Sequence, residues 1–211
     1  MAKIDDLKVH VEKGKTKLVS GLVQEALDEG CKPHEILDAM ISAMKIVGDK
    51  FSANEIFIPE MLISAKAMSK GVDILKPHLA GETSKSLGTC VIGTVHGDLH
   101  DIGKNLVCMM IESAGFTMVD LGVDVPAEKF IEAVKTNENV KIVACSGLLT
   151  TTMTAMKETV KALKECGVPD LKVMVGGAPV SPEYAKEIGA DAYAPDAGSA
   201  ATKAREMVSA A

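Results

Sequence analysis

The 211-residue chain has no tryptophan, two tyrosines and four phenylalanines, so aromatic rings cannot be the main filler of its interior. Twelve methionines are available instead, and flexible thioethers pack irregular interiors or adaptable surfaces. Basic excess is also missing: 23 Lys and Arg stand against 29 Asp and Glu, a net charge of −6 with both signs interspersed. A phosphate backbone is held by a basic face, so no nucleic-acid partner is expected. No apolar run reaches the roughly 18–20 residues that span a bilayer. The start, Met1-Ala2-Lys3-Ile4-Asp5-Asp6, lacks the basic opening and apolar stretch of a signal peptide. The five cysteines (Cys31, Cys90, Cys108, Cys145 and Cys166) are odd in number, scattered, and form no Cys-x-x-Cys pair. Reduced thiols in a cytoplasmic protein, with no membrane contact, are the simplest expectation.

What is present is a large apolar share, 47%, enough for a real core in one ordinary domain or two small ones. Two halves differ in period. Through the first eighty or so residues apolar side chains recur at three and four. They run Leu18, Leu22, Val23, Ala26, Leu27, then Ile36, Leu37, Met40, Ile41, Met44, Val47, then Met61, Leu62, Ala65, Met68, Val72, Leu75. Gly30 ends the first of these stripes, Pro33 opens the second, and Ile58-Pro59-Glu60 opens the third. Short loops between them predict a small helix bundle.

Around residues 81–88 the composition turns small and polar, which predicts a linker. Beyond it, short apolar runs alternate with amphipathic stretches. Strands are expected at 89–95, 117–120, 141–145, 172–175 and 192–194, each followed by a helix. Five β-α units in series define an α/β domain with a doubly wound, flavodoxin-like parallel sheet.

In such sheets ligands bind beyond the C-terminal ends of the strands. Three of those ends are unusual: Gly97-Asp98-Leu99-His100-Asp101-Ile102-Gly103, Ser146-Gly147-Leu148-Leu149-Thr150-Thr151, and Gly176-Gly177-Ala178-Pro179. A fourth, Pro195-Asp196-Ala197-Gly198, is plainer. Glycines there let a ligand approach the backbone. Hydroxyls are available, whereas Lys and Arg are nearly absent, and neither the Walker nor the dinucleotide fingerprint occurs. The expected ligand is large and only lightly charged. Asp98 beside His100 has the form of a metal-bound imidazole whose second nitrogen donates to a carboxylate. The same pair also fits a loop cap or surface hydrogen bond. With His96 it would supply three groups toward a zinc site.

Taken together, Asp98-x-His100-x-x-Gly103, Ser146-x-Leu148 and Gly176-Gly177 resemble the cobalamin-binding signature. The run from Gly93 to Asn105 is similar to the cobalamin module of methionine synthase and to the small corrinoid proteins of methanogens and acetogens. Glu55-Ile56-Phe57-Ile58-Pro59-Glu60-Met61-Leu62 resembles that family's N-terminal helical cap. The resemblance implies a four-helix cap over residues 1–84 and a cobalamin-binding domain over 85–211, forming a free-standing shuttle without methionine synthase's catalytic modules.

Carried over position by position, the resemblance makes His100 the lower ligand of cobalt, replacing the cofactor's own base. Asp98 accepts from His100, and Ser146 extends that relay. Gly97, Asp101 and Ile102 share the His100 loop. Gly103, Gly147, Gly176 and Gly177 line a slot for the displaced nucleotide tail, with Leu148, Thr150 and Ala197 beside it. Phe57 shields the upper face, the linker near Ser84 is the hinge, and His96 has no assigned role. The implied function is methyl transfer in the one-carbon metabolism of an anaerobe. Methylcobalamin or a related corrinoid receives a methyl group from a substrate-specific corrinoid methyltransferase. A second methyltransferase takes it to tetrahydrofolate or coenzyme M, and a reductive activase maintains the cobalt. The chain alone would be non-catalytic. Methylamines, quaternary amines, methanol and aryl methyl ethers are all donors for such shuttles. Rival readings are a cobalamin-dependent sensor, a mutase small subunit, or a flavodoxin-like binding protein without a corrinoid.

Overall fold

The computed structural model describes residues 2–79 and 86–209. Most of the expected linker, its hinge near Ser84 and the 84/85 boundary lie outside the described residues. The chain divides into two compact units.

The first unit is four helices: α1 (Ala2–Glu12), α2 (Thr16–Asp28), α3 (Pro33–Ser52) and α4 (Ile58–Leu79). Helix α2 packs on α4, α1 on α3, and α3 on α4. Its interior is methionine-rich, with Met40, Met44, Met61 and Met68 all buried beside Val19, Val23 and Ile36. Periodicity alone misses α1, because only Leu7 and Val11 of its short run are buried. The stripe on α2 is also shifted by one residue. Leu18 is exposed, and Val19, Val23 and Ala26 face inward at four and three. Gly71 sits where a Cβ would meet Met40 Sδ at 2.6 Å, so a glycine lets α3 and α4 approach.

The second unit alternates strand and helix: β1 (Thr89–Thr94), α5 (Ile102–Ser113), β2 (Thr117–Asp120), α6 (Ala127–Thr136), β3 (Val140–Ser146), α7 (Met153–Glu165), β4 (Lys172–Gly176), α8 (Pro182–Glu187), β5 (Ala192–Ala194) and α9 (Ala197–Ser209). A single 3-10 turn, Thr150–Thr152, precedes α7. The strands form one parallel sheet in the order β2-β1-β3-β4-β5, the flavodoxin-like arrangement that the β-α series predicts. Every residue of β1 is buried, as a central parallel strand covered on both faces must be. Gly93 within it leaves room for Phe130 of α6, whose ring would lie 2.8 Å from a Cβ there. The order places the ends of β1 and β3 side by side, with β4 next. It therefore gathers the three unusual loops on one rim.

Candidate cofactor site

β1 delivers the chain to Thr94, whose hydroxyl donates to His100 O at 2.8 Å and so folds the following loop back on the strand. Gly97 turns with φ +82°, a conformation that suits glycine. This turn carries Asp98 inward, where it has no exposed surface. A buried carboxylate is costly unless it is fully hydrogen-bonded. Asp98 Oδ2 accepts from Leu148 N (2.6 Å), Leu149 N (3.2 Å) and Thr152 Oγ1 (3.2 Å). Oδ1 accepts from His100 N (3.1 Å) and from the His100 ring at Nδ1 (2.7 Å). Burial pushes the carboxyl up. The Leu148 N–H, the His100 ring and N–H, and the Leu149 N–H outweigh it and hold Asp98 well below the usual carboxylate range.

An ionised carboxylate can only accept, so Nδ1 of His100 carries a proton, which leaves Nε2 as the ring nitrogen able to ligate a metal. The His100 side chain is 50% exposed while its anchor is wholly buried. That is the posture of a metal-ligating imidazole. His96 turns to a different carboxylate, Asp124, at 2.7 Å. Among the described residues no three His, Cys, Asp or Glu converge, so the zinc alternative has no ligand set. One imidazole instead suits a metal whose equatorial positions a macrocycle already fills.

The surroundings fit such a group. Leu99 and Ile102 flank His100 in sequence and are 72% and 74% exposed, and Leu148 and Leu149 are also exposed. Asp98 ties the loop of the first pair to the loop of the second, so exposed apolar residues lie on both of the loops that meet at the carboxylate. Gly103 opens α5, and a Cβ there would meet nothing of the protein. The fold itself has no steric need for a glycine at that point. The other glycines have internal reasons. A Cβ on Gly177, at φ +125°, would lie 1.8 Å from Gly147 O, and one on Gly176 would lie 2.7 Å from Ala194 O. These two residues let β4 and its loop press against their neighbours. A Cβ on Gly147 would sit 3.0 Å from Met156 Cε.

One part of the expected relay is different. The hydroxyl on Asp98 is that of Thr152, and no hydrogen bond joins Ser146 to Asp98. Ser146 is still in the β3 ladder, and its carbonyl accepts from Val95 N at 2.9 Å. The chain must turn through Gly147 before its N–H groups and the Thr152 hydroxyl can face the carboxylate. The run Thr150-Thr151-Thr152 contained the signal, but only its register on the 3-10 turn selects the third residue. Lys104 is a second residue near the site for which the motif gave no role. It is buried, and its Nζ donates to Asp120 Oδ2 (2.5 Å) and Asn105 Oδ1 (2.7 Å), pinning the start of α5 to the end of β2. Asp101 caps α5, receiving Asn105 N at 2.7 Å on its carbonyl. Thr150 is exposed, and Ala197 is buried at the start of α9. Phe57 belongs to the helical unit, where its ring is exposed and its N–H donates to Glu60 Oε2 at 3.1 Å.

A flavodoxin-like unit whose strand-end rim offers one anchored imidazole within an apolar border is a metallocofactor-binding module. Comparison with known proteins identifies which kind. Residues 88–203 match the B12 binding domain model, and residues 3–76 match a second model also described as a B12 binding domain. The chain is 42% identical to trimethylamine corrinoid protein 1 of Methanosarcina acetivorans, over 91% of this chain and 90% of that one. It is likewise 42% identical to dimethylamine corrinoid protein 2 of the same organism, over 87% and 86% of the two chains. The crystal structure of the methanol:cobalamin methyltransferase complex MtaBC from Methanosarcina barkeri matches with a TM-score of 0.85. It shows 31% identity and covers 100% of this chain and 81% of that one. The chain belongs to the B12-binding corrinoid protein family, and its cofactor is cobalamin.

Proposed function

We propose that this protein is a methyl carrier that holds cobalamin with His100 as the lower axial ligand of cobalt. The observation that carries the reading is the His100–Asp98 pair: Nδ1 is fixed at 2.7 Å on a buried carboxylate, Nε2 makes no hydrogen bond among the described residues, and the ring is half exposed. When bound, the corrinoid's cobalt accepts a methyl group from a donor and yields it to an acceptor. The chain's residues set the conditions for that exchange. His100 binds through Nε2, and Asp98 fixes its tautomer and raises the basicity of the ligating nitrogen. Leu148 N–H, Leu149 N–H and Thr152 Oγ hold Asp98 anionic, so the proton rests on His100 Nδ1. Leu99, Ile102, Leu148 and Leu149 supply apolar contact and exclude water. Phe57, exposed on the helical unit, is proposed as a further cofactor-binding residue. Gly103 is proposed to give room to the cofactor, and Gly147, Gly176 and Gly177 to border its nucleotide tail, with Thr150 and Ala197 beside them.

The relatives' names favour a methylated amine as donor. The solved methanol:cobalamin methyltransferase complex favours a substrate-specific methyltransferase as the first partner. A second methyltransferase serving tetrahydrofolate or coenzyme M, and a reductive activase, complete the proposed cycle. Among the described residues no helix is long and apolar enough to cross a membrane, and the cytoplasm is the proposed location. The test is electron paramagnetic resonance of the cob(II)alamin-loaded protein with natural and ¹⁵N-labelled histidine. A nitrogen pattern that changes from triplet to doublet on labelling supports ligation by the protein. A persistent triplet sinks it, because the axial nitrogen then belongs to the cofactor.

A further inference from the structure

Asp124 lies outside every motif that points to the cofactor, yet three hydrogen bonds connect it to the loop that carries Asp98. Its Oδ1 accepts from Gly97 N and from His96 Nδ1, each at 2.7 Å. Its own N–H donates to Asp98 O at 2.9 Å. The neighbouring backbone runs in register: Val95 bridges Val125, and Val125 N donates to Thr94 O at 2.9 Å. Asp124 adopts φ +53°, a left-handed conformation that Asp and Asn tolerate better than other side chains. From one residue, the backbone therefore holds Asp98 while the side chain holds the peptide just before it. The His96 and Asp124 side chains are 66% and 49% exposed, and a side-chain contact this exposed contributes little to folding.

We infer that Asp124 is a positioning residue for the cobalamin ligand: it clamps Gly97 and Asp98 so that the Asp98 carboxylate presents His100 in one orientation. Its bearing on cobalt rests on the proposal that His100 is the axial ligand. The line of action runs from Asp124 to the Asp98 backbone, from the Asp98 carboxylate to His100 Nδ1, and from there to the orientation of Nε2. The carboxyl of Asp124 is held below the usual range first by the Gly97 N–H, so the clamp favours an ionised acceptor.

The test uses the full chain with and without cobalamin, and two variants that both accept a positive φ. Asp124→Gly removes the carboxylate without backbone strain, whereas Asp124→Asn keeps an oxygen for the Gly97 N–H. In the cofactor-free chain, Asp124→Gly is expected to speed hydrogen exchange at the His100 amide and ring Nδ1–H by about tenfold. Amides of Val143 and Ala144 in β3 should hold their wild-type rates. Asp124→Asn should return His100 to within about twofold of wild type. In the cob(II)alamin-loaded chain, Asp124→Gly should lose part of the histidine-derived nitrogen signal and Asp124→Asn should regain it. Wild-type exchange at His100 in Asp124→Gly overturns the inference, as does equal acceleration in β3, which would mark general destabilisation. Faster exchange at His100 alone, in a protein whose cobalt signal ignores ¹⁵N-histidine, upholds the clamp and removes the axial-ligand proposal instead.

Discussion

Asp98 and His100 share a 2.7 Å hydrogen bond across the protein surface, the carboxylate wholly buried and the imidazole half exposed. The asymmetry matters because each partner meets a different requirement. A buried carboxylate needs several donors to remain ionised, and it has them in Leu148, Leu149 and Thr152. A ligating imidazole needs an open nitrogen and a fixed ring. One bond thus transmits the order of the interior to a half-exposed imidazole on the rim.

The depressed pKa of Asp98 has a pH consequence with a definite sign. Its hydrogen bonds favour the ionised form in the folded state. The stability they contribute is therefore present above the unfolded carboxyl's pKa of about 3.9 and lost as pH falls toward the folded value. Urea midpoints should stay level from about pH 7 to 5 and drop steeply below about pH 4. Asp98→Asn places an amide N–H₂ among N–H donors and should cost about 3 kcal/mol at pH 7, with a flatter acid limb. Equal acid limbs in the two proteins would remove Asp98 from the account.

Thr152, rather than Ser146, should govern the carboxylate. Thr152→Val preserves shape and removes the hydroxyl whose one hydrogen is shared between Asp98 Oδ2 and Leu149 O. It should cost about 1 kcal/mol in urea unfolding and shift the His100 Nδ1–H resonance. Ser146→Ala should cost about 0.5 kcal/mol or less and leave that resonance in place. The reverse ranking would restore Ser146 to the relay.

That substitution marks where sequence reading reached and where it stopped. The five strands were legible because buried parallel strands are short apolar runs, and the spans of β2 and β5 match their expected limits. Asp98 and His100 were legible because their spacing within one loop fixes their proximity. Partners that come from elsewhere in the sequence were not. Thr152 reaches Asp98 only through the turn after Gly147, and Asp124 reaches Gly97 only because β2 lies beside β1. Helix α1 was missed for a simpler reason: two buried residues one turn apart are too few to define a period.

Two glycines on the same rim should respond in opposite ways. Gly177→Ala forces a Cβ to 1.8 Å from Gly147 O at φ +125°, so it should cost about 3 kcal/mol or more, or prevent folding. Gly103→Ala meets open space at the start of α5 and should stabilise the cofactor-free protein by about 0.5 kcal/mol. The same methyl group should weaken cobalamin uptake by about tenfold if the cofactor lies across that helix start, an effect worth about 1.4 kcal/mol. Undiminished uptake, followed by titration of the visible absorption spectrum, would show that Gly103 borders no ligand.

Lys104 and Asp120 should show the asymmetry of a pair with one buried member. Lys104 is 2% exposed, while Asp120 is 38% exposed and also receives Gly122 N at 2.9 Å. Lys104→Met replaces the ammonium with an apolar chain of similar length and leaves Asp120 to water, so it should change stability by about 1 kcal/mol or less. Asp120→Ala leaves the buried ammonium with only Asn105 Oδ1, and should cost about 3 kcal/mol. It should also loosen the first turn of α5, next to His100, and so weaken the proposed ligation by His100 together with stability. The double variant should recover most of the loss, because the uncompensated charge is gone. Urea unfolding of the three proteins decides the point: equal costs for the two single variants would show that the pair acts as an ordinary surface ion pair.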